Sequence, residues 1–150
     1  AVVHTGNHVL DAVLTAKRAF GVEHGVELSY VADGALLAFL RPLDLTAIVG
    51  NALDNAVQAA ARLPAKDERL VRLALFAQDD FVMLRVENTY DGVVVREGDR
   101  IVSRQSEAGH GHGLRNIETA VSACDGTLAI AEEDGWFSLR VLFPRVPAQG

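Results

Sequence analysis

The chain has 150 residues, 49% of them hydrophobic, and a formal net charge of −6 at pH 7. This length and apolar fraction suit one compact domain, while the negative charge argues against a nucleic-acid binder, which would present a basic face. The single cysteine, Cys124, excludes an intrachain disulfide framework and fits a reducing compartment. No apolar run is long enough to span a membrane, and the start does not resemble a signal peptide. Because the sequence begins without methionine, we expect residues 1–150 to be one domain of a longer protein, with any membrane anchor outside it.

Two helices and a strand are predicted in the first part of the chain. Apolar residues recur at helical spacing from about Asn7 to Phe20, with Asn7 as the N-cap. Residues 26–31 largely alternate apolar and polar side chains, which predicts a strand. A second helix is predicted from Pro42 to about Arg62, since proline suits an opening turn and Pro64 follows the end.

The second predicted helix carries Asn51 and Asn55 at the edge of its apolar face. The two asparagines are four residues apart and therefore lie one above the other. Asparagine is a mediocre helix former, so two of them beside a core stripe cost helix propensity unless their amides are used. A carboxamide oxygen is a suitable ligand for Mg²⁺. The alternative interpretation is a pair of solvated amides on a polar flank.

A hairpin and a long loop follow. Residues 70–77 and 81–88 read as two strands joined by a short polar turn, which places Asn88 at a strand end, from where it can reach a ligand. Residues 89–109 contain glycines and alternating charges with little helical pattern. Long loops of this kind often close over a ligand, and we predict that this one is a lid.

The most informative run is Gly109-His110-Gly111-His112-Gly113-Leu114-Arg115-Asn116, in which glycines alternate just before a helical pattern. Glycine lets a ligand approach the backbone, and the first turn of a helix offers unpaired N–H groups and a positive dipole end. The run therefore predicts a phosphate site, with a flexible loop as the alternative.

The last elements complete a two-layer fold. The helix after Gly113 is predicted to end at Asp125-Gly126, with glycine as the C′ residue. Residues 127–132 and 136–143 read as a second hairpin. Helices on one face of a mixed, mostly antiparallel sheet make a two-layer α/β sandwich.

Two of these motifs together resemble the nucleotide-binding boxes of the GHKL ATPases, which include gyrase, heat-shock chaperones, histidine kinases and mismatch-repair ATPases. Asn51-Ala-Leu-Asp-Asn55-Ala resembles the N box, and Gly109-His-Gly-His-Gly113-Leu resembles the second glycine box. The run Thr5-Gly-Asn-His-Val-Leu-Asp-Ala-Val-Leu14, followed by Lys17, is similar to the opening of the catalytic domain in sensor kinases related to peptide-pheromone quorum-sensing receptors. In that group the first glycine box is eroded to a Val-x-Asn pattern, as in Val86-Glu-Asn88-Thr.

Departures from the wider family narrow the expected activity. Asn51 occupies the position of the glutamate that activates water in gyrase-type ATPases, so no general base for hydrolysis is visible. This favours a kinase whose nucleophile comes from another domain. Asn88 replaces the aspartate that commonly receives the adenine amino group, and Gln58 replaces a lysine that faces the phosphates. Arg104 or Arg115 could supply the missing cation.

The resemblance implies the ATP-binding catalytic domain of a sensor histidine kinase, with a Bergerat-type fold. It implies that Asn55 ligates Mg²⁺, that Asn51 supports the phosphate region and that Asn88 receives adenine. The phosphates would be held by the glycine run and the first turn of the following helix, that is by Gly109, Gly111, Gly113, Leu114 and Arg115, with Arg104 as a further cation.

The resemblance also implies partners for the domain. None of the five histidines is followed by an acidic residue, as phosphoacceptor histidines usually are. The implied acceptor is therefore a histidine on a separate dimerisation domain of a homodimeric protein, with a response regulator downstream. A cytoplasmic location is implied, without membrane contact by this part. An anti-sigma-factor-type serine kinase and a non-catalytic interaction module of the same fold remain alternatives.

Overall fold

The computed structural model describes residues 2–97, 100–102 and 113–145 as helices packed on one face of a sheet. The helices are α1 (His8–Glu23), α2 (Pro42–Leu45), α3 (Asn51–Ala61) and α4 (Gly113–Ala123). The strands are β1 (Glu27–Ala32), β2 (Leu70–Gln78), β3 (Phe81–Thr89), β4 (Val95–Glu97), β5 (Arg100–Val102), β6 (Thr127–Glu133) and β7 (Trp136–Pro144). Short 3₁₀ turns cover Gly34–Leu37 and Lys66–Glu68. The predicted two-layer α/β sandwich is confirmed.

The main sheet has five strands in the order β1-β2-β3-β7-β6. β1 runs parallel to β2, and every other pairing is antiparallel. Side chains alternate between the two faces of the sheet, so that Val71, Leu73 and Leu75 of β2 are buried under the helices while Arg72 is exposed. Both predicted hairpins are confirmed, and Asn88 lies at the end of β3, directly opposite Phe137 of β7.

The predicted lid is not strand-free. β4 and β5 pair with each other as a separate two-stranded sheet within residues 89–109. Three-residue strands are too short to show alternation in a sequence, which is why the region reads as a loop. Residues 98–99 and 103–112 lie outside the described residues.

The predicted second helix is interrupted where it enters the candidate site. Residues Thr46–Gly50 form a π turn between α2 and α3. The apolar residues on either side of the turn, Leu45, Ile48 and Leu53, are all buried in the core. Because the buried face stays continuous, the periodicity predicts one unbroken helix.

Hydrogen bonds from the Thr5-Gly-Asn7 segment cap the start of α1 and link it to the turn at Gly34. As predicted, Asn7 is the N-cap, and its Oδ1 accepts hydrogen bonds from the N–H groups of Val9 and Leu10 at 3.1 Å. Its Nδ2 donates to the carbonyl of Gly34 at 3.1 Å. The helix then continues to Glu23, one turn further than the predicted end at Phe20.

The end of α4 differs from the prediction. Asp125, and not Gly126, takes the left-handed conformation, with φ 60°. Gly126 is required for a different reason, because a Cβ there would lie 2.9 Å from Val121 Cγ1 and 3.0 Å from Phe143 Cδ1. The glycine therefore allows close packing of the helix end on the sheet.

None of the helices in the described ranges has the length and apolar character needed to cross a membrane.

Candidate functional site

Asn51 is oriented by the π turn that precedes it. Its Nδ2 donates to the carbonyl of Ala47 at 2.6 Å, a side-chain bond back to the preceding turn. The nitrogen end of the amide therefore faces the helix backbone, and the oxygen end faces away from it. Single-turn π insertions often occur at functional sites. The sequence signal for this turn is weak: it is Gly50, a glycine within a helical pattern.

Asn55 lies one turn further along α3, against the N-terminus of α4. A Cβ built on Gly113 would lie 2.8 Å from Asn55 Nδ2 and 2.9 Å from Asn55 Oδ1. Glycine at the first position of α4 thus lets the helix end approach the Asn55 carboxamide without an intervening side chain. The structure brings together two residues that are 58 positions apart and that the sequence assigned to one site on separate grounds.

The first turn of α4 continues this arrangement. Leu114 is buried in the core. Arg115 is exposed to solvent. The first N–H groups of a helix have no partners within the helix, and the helix dipole makes this end attractive to anions. Arg104, Gly109 and Gly111, the other predicted phosphate-binding residues, lie outside the described residues.

Asn88 is a buried polar residue at the end of β3, with 3% of its surface exposed. Its Nδ2 donates to the carbonyl of Thr89 at 3.0 Å, which leaves Oδ1 as the end turned away from that carbonyl. Thr89 is fixed in turn, since its Oγ1 accepts from the N–H of Leu70 at 3.0 Å and donates to the carbonyl of Glu68 at 2.7 Å. Such an amide presents an acceptor to a ligand that carries an N–H donor.

An ion pair flanks the other side of α3. Lys17 Nζ of α1 lies 2.8 Å from Asp54 Oδ1, and Asp54 directly precedes Asn55. The sequence marked Lys17 only as part of the opening motif. Its partner could not be found from the sequence, because no spacing rule relates residues on two different helices.

A second group missed by the sequence analysis joins β4 to β6. Glu132 accepts a hydrogen bond from the Tyr90 hydroxyl at 2.6 Å and is paired with Arg96 at 3.0 Å. Burial, followed by the bond to Glu132, raises the pKa of Tyr90 to about 12. Tyr90 and Glu132 are 42 residues apart, so only the fold reveals the contact.

Cys124 is not part of this site. It is partly buried and packs against the core, as its place on the apolar stripe of α4 predicts. Burial raises the pKa of its thiol, which disfavours the reactive thiolate.

The family of the chain follows from a match to a known domain. Residues 40–144 match the family model described as the GHKL domain. The chain belongs to the GHKL domain family. The matched GHKL region runs from just before α2 to the end of β7 and includes every candidate site residue.

A curated relative supports the same assignment. Over 114 residues the chain is 35% identical to the sensor histidine kinase DpiB of Escherichia coli strain K12. The match covers 69% of the chain but 20% of DpiB, so the GHKL domain spans about a fifth of this relative's length. The chain is thus a GHKL domain homologous to the catalytic domains of sensor histidine kinases.

Solved structures share the fold of this GHKL domain. The catalytic domain of histidine kinase ThkA in a nucleotide-free form superposes with a TM-score of 0.69 at 11% identity, covering 95% of the chain and 93% of that catalytic domain. Full-length ShkA in complex with AMPPNP gives a TM-score of 0.66 at 20% identity, covering 100% of the chain and 33% of ShkA. At these identities the similarity establishes the fold.

Proposed function

We propose that this GHKL domain binds Mg-ATP and delivers the γ-phosphate to a histidine on a separate dimerisation domain, as the catalytic part of a two-component sensor kinase. The observation that supports it best is the contact between Gly113 and the Asn55 carboxamide. That contact joins an anion-binding helix end to a neutral oxygen donor, a combination suited to the phosphates and the metal of a bound nucleotide.

The phosphate end of the site is assigned to α3 and α4. Asn55 would hold Mg²⁺ through Oδ1, and the metal would neutralise charge on the phosphate oxygens. Asn51 would orient the phosphates, and the N–H groups of the first turn of α4 would bind their oxygens. Arg115 is a described cation next to this turn that could offset their charge. Arg104, Gly109 and Gly111 retain their proposed roles in phosphate binding.

The base end of the site is assigned to Asn88. An adenine presents an exocyclic amino group, and the Oδ1 of Asn88 can accept a hydrogen bond from it. A neutral amide makes a weaker bond than the aspartate carboxylate that the resemblance to the wider family leads us to expect at this position. We therefore expect modest nucleotide affinity.

Transfer would then need a nucleophile from outside the chain. None of the described side chains at Asn51 or Asn55 can act as a base toward water, since amides do not accept protons at neutral pH. A histidine nitrogen of the dimerisation domain would form the bond to the γ-phosphorus while the bond to the β–γ bridging oxygen breaks and ADP leaves. A response regulator would receive the phosphoryl group afterwards.

The test is calorimetric titration of ATP into the domain with and without Mg²⁺, using the wild type, Asn55→Ala and Gln78→Ala. We expect saturable, Mg²⁺-dependent binding that Asn55→Ala abolishes with little change in melting temperature. Gln78 is an exposed amide at the last position of β2, and its removal should change neither property.

Two results would contradict the assignment. If the folded wild type does not bind ATP, the non-catalytic alternative gains support. If Asn55→Ala binds Mg-ATP normally, the proposed metal ligand is wrong. Where ATP binds as expected, radiolabelled ATP and the dimerisation domain of the intact protein would then test transfer to histidine.

A further inference from the structure

One carboxylate holds both ends of the segment that follows Asn88. Glu132 of β6 accepts from the Tyr90 hydroxyl at 2.6 Å through Oε1 and from Arg96 at 3.0 Å through Oε2. Tyr90 is the first residue after β3, and Arg96 lies in the middle of β4. Each carboxylate oxygen thus has its own partner, and both bonds involve an ionised group, the stronger kind of hydrogen bond.

The same end of the sheet also fixes the main chain and ring of Tyr90. Its N–H donates to the carbonyl of Gly135 at 3.2 Å, in the turn between β6 and β7. Its ring meets Phe137 edge to face, with the centroids 5.8 Å apart. Phe137 is the residue directly opposite Asn88 in the sheet. Tyr90 is therefore positioned next to the pair of residues at the proposed base end of the site.

The chain between the two anchored residues forms a defined turn. Asp91 Oδ1 accepts from the N–H of Val93 at 3.0 Å, and Gly92 adopts φ +84°. An aspartate that bonds two residues ahead, followed by a glycine at positive φ, stabilises a turn locally. The segment from Tyr90 to Arg96 is thus shaped by its own turn and attached through Glu132 to the neighbouring hairpin.

We propose that Glu132 is a positioning residue for the nucleobase, which holds Tyr90 and Arg96 so that the Tyr90 ring forms a wall of the pocket begun by Asn88 and Phe137. This inference rests on the proposed function, because it assumes that a base binds at Asn88. Glu132 acts through Tyr90 and Arg96 and does not itself contact the base. Loss of its charge should loosen the wall and weaken nucleotide binding.

The experiment compares Glu132→Gln and Tyr90→Phe with Glu133→Gln. Glu133 is the exposed neighbour of Glu132 whose side chain lies on the opposite face of the sheet, so it controls for the loss of a charge on the same strand. For each variant, the dissociation constant of Mg-ATP is measured well below the melting temperature. The side-chain amide signals of Asn88 are recorded by ¹⁵N NMR without nucleotide.

We expect Glu132→Gln to weaken Mg-ATP binding by roughly fivefold to twentyfold, because loss of the charge weakens both bonds that hold Tyr90 and Arg96. Tyr90→Phe keeps the ring and loses one of the two bonds, so its loss should be smaller. Both should shift the Asn88 amide signals, whereas Glu133→Gln should leave affinity and signals unchanged. A purely structural role would lower the melting temperature and leave the affinity of the folded protein unaltered.

The possible failures can be told apart. Wild-type ATP affinity in Glu132→Gln, or equal losses in Glu132→Gln and Glu133→Gln, would overturn this inference and leave the proposed function standing. Absence of ATP binding by the wild type would overturn both.

Discussion

At the scale of single residues, substitution of Gly113 should affect Mg-ATP binding much more than the stability of the fold. A Cβ added at Gly113 would fall 2.8–2.9 Å from the amide atoms of Asn55, the far end of a side chain, so the substitution displaces the amide and not the backbone. Gly113→Ala should therefore change the free energy of unfolding by less than about 1 kcal/mol. It should also weaken Mg-ATP binding by roughly tenfold if Asn55 is the metal ligand that we propose, because the displaced amide would then face away from the metal. Urea unfolding would measure the change in the free energy of unfolding, and calorimetric titration would measure the change in Mg-ATP affinity.

A control for this substitution lies in the same helical layer. A Cβ on Gly50 would make only ordinary contacts, at 3.9 Å from Lys17 Cε and Thr46 Cγ2, and the residue already has a helical φ of −60°. Gly50→Ala should fold at least as stably as the wild type and retain ATP binding. Normal ATP affinity in Gly113→Ala would contradict the proposed role of Asn55.

Some site residues could be predicted because their signals are local. Asn51 and Asn55 are visible as two poor helix formers at a spacing of four beside an apolar stripe, and Gly113 is visible in an alternating glycine run. Tyr90 and Glu132 carry no such signal. A tyrosine after a strand and a glutamate at the end of another strand are ordinary residues until the order of the strands is known.

At the scale of elements, the close packing of Gly34 against the N-terminal segment implies that a larger residue at this position destabilises the fold. A Cβ there would clash with Thr5 Oγ1 and lie 2.7 Å from Asn7 Cβ and 2.9 Å from the Thr5 carbonyl oxygen. The Thr5 carbonyl oxygen is a backbone atom and Asn7 Cβ is bonded directly to the backbone, so neither can move cheaply. The N–H of Gly34 also donates to the Thr5 carbonyl, which fixes this stretch of backbone further. Gly34→Ala should lower the free energy of unfolding by about 1–3 kcal/mol, as overpacking commonly does.

Urea unfolding monitored by circular dichroism would measure this loss. Ala35→Ser, at the exposed neighbouring position, should be close to neutral. A Gly34→Ala protein as stable as the wild type would show that the Thr5-Gly-Asn7 segment does not depend on this close contact.

Element types were more predictable than their irregularities. The apolar periodicity identified α1, α3, α4 and both long hairpins, because each buries a continuous face. The π turn before Asn51 and the positive φ of Asp125 were missed. Both depend on local hydrogen bonding at the junction of two packed elements, which leaves the period of buried residues unchanged.

At the scale of the whole molecule, the raised pKa of the Tyr90 phenol should make the stability of the fold depend on pH in alkaline solution. Burial, with the bond to Glu132 next, raises the pKa of Tyr90 to about 12 in the folded chain, above the value of about 10 for an unperturbed tyrosine. The folded state therefore retains a proton that the unfolded state loses. The stabilisation is complete below pH 10 and decreases as the pH rises toward 12.

Unfolding free energies of the wild type and Tyr90→Phe, measured between pH 8 and pH 12, test this prediction. The wild type should be the more stable protein near pH 8, and the difference should narrow above pH 10. A constant difference across the range would show that the Tyr90 hydroxyl is not held as described.

The overall layer arrangement was predictable, but the order of the strands was not. A mixed sheet under three longer helices follows from the alternation of patterns along the chain. The placement of β7 between β3 and β6, which brings Phe137 beside Asn88, depends on packing between segments far apart in the sequence. Those long-range pairings bring together the residues of the proposed base end of the site.

The strand order also affects how copies of the chain meet. β1 and β6 are the outer strands of the five-stranded sheet, and outer strands expose backbone groups that can pair with another chain. β6 ends on Glu132 and Glu133, and β1 begins at Glu27. Glu133 is an exposed charged side chain at the β6 edge, and a charge on an outer strand opposes pairing with another chain and growth of the sheet into aggregates. Adjacent glutamates of β6 would thus have different tasks: Glu132 is held by Tyr90 and Arg96, while Glu133 keeps the outer strand charged.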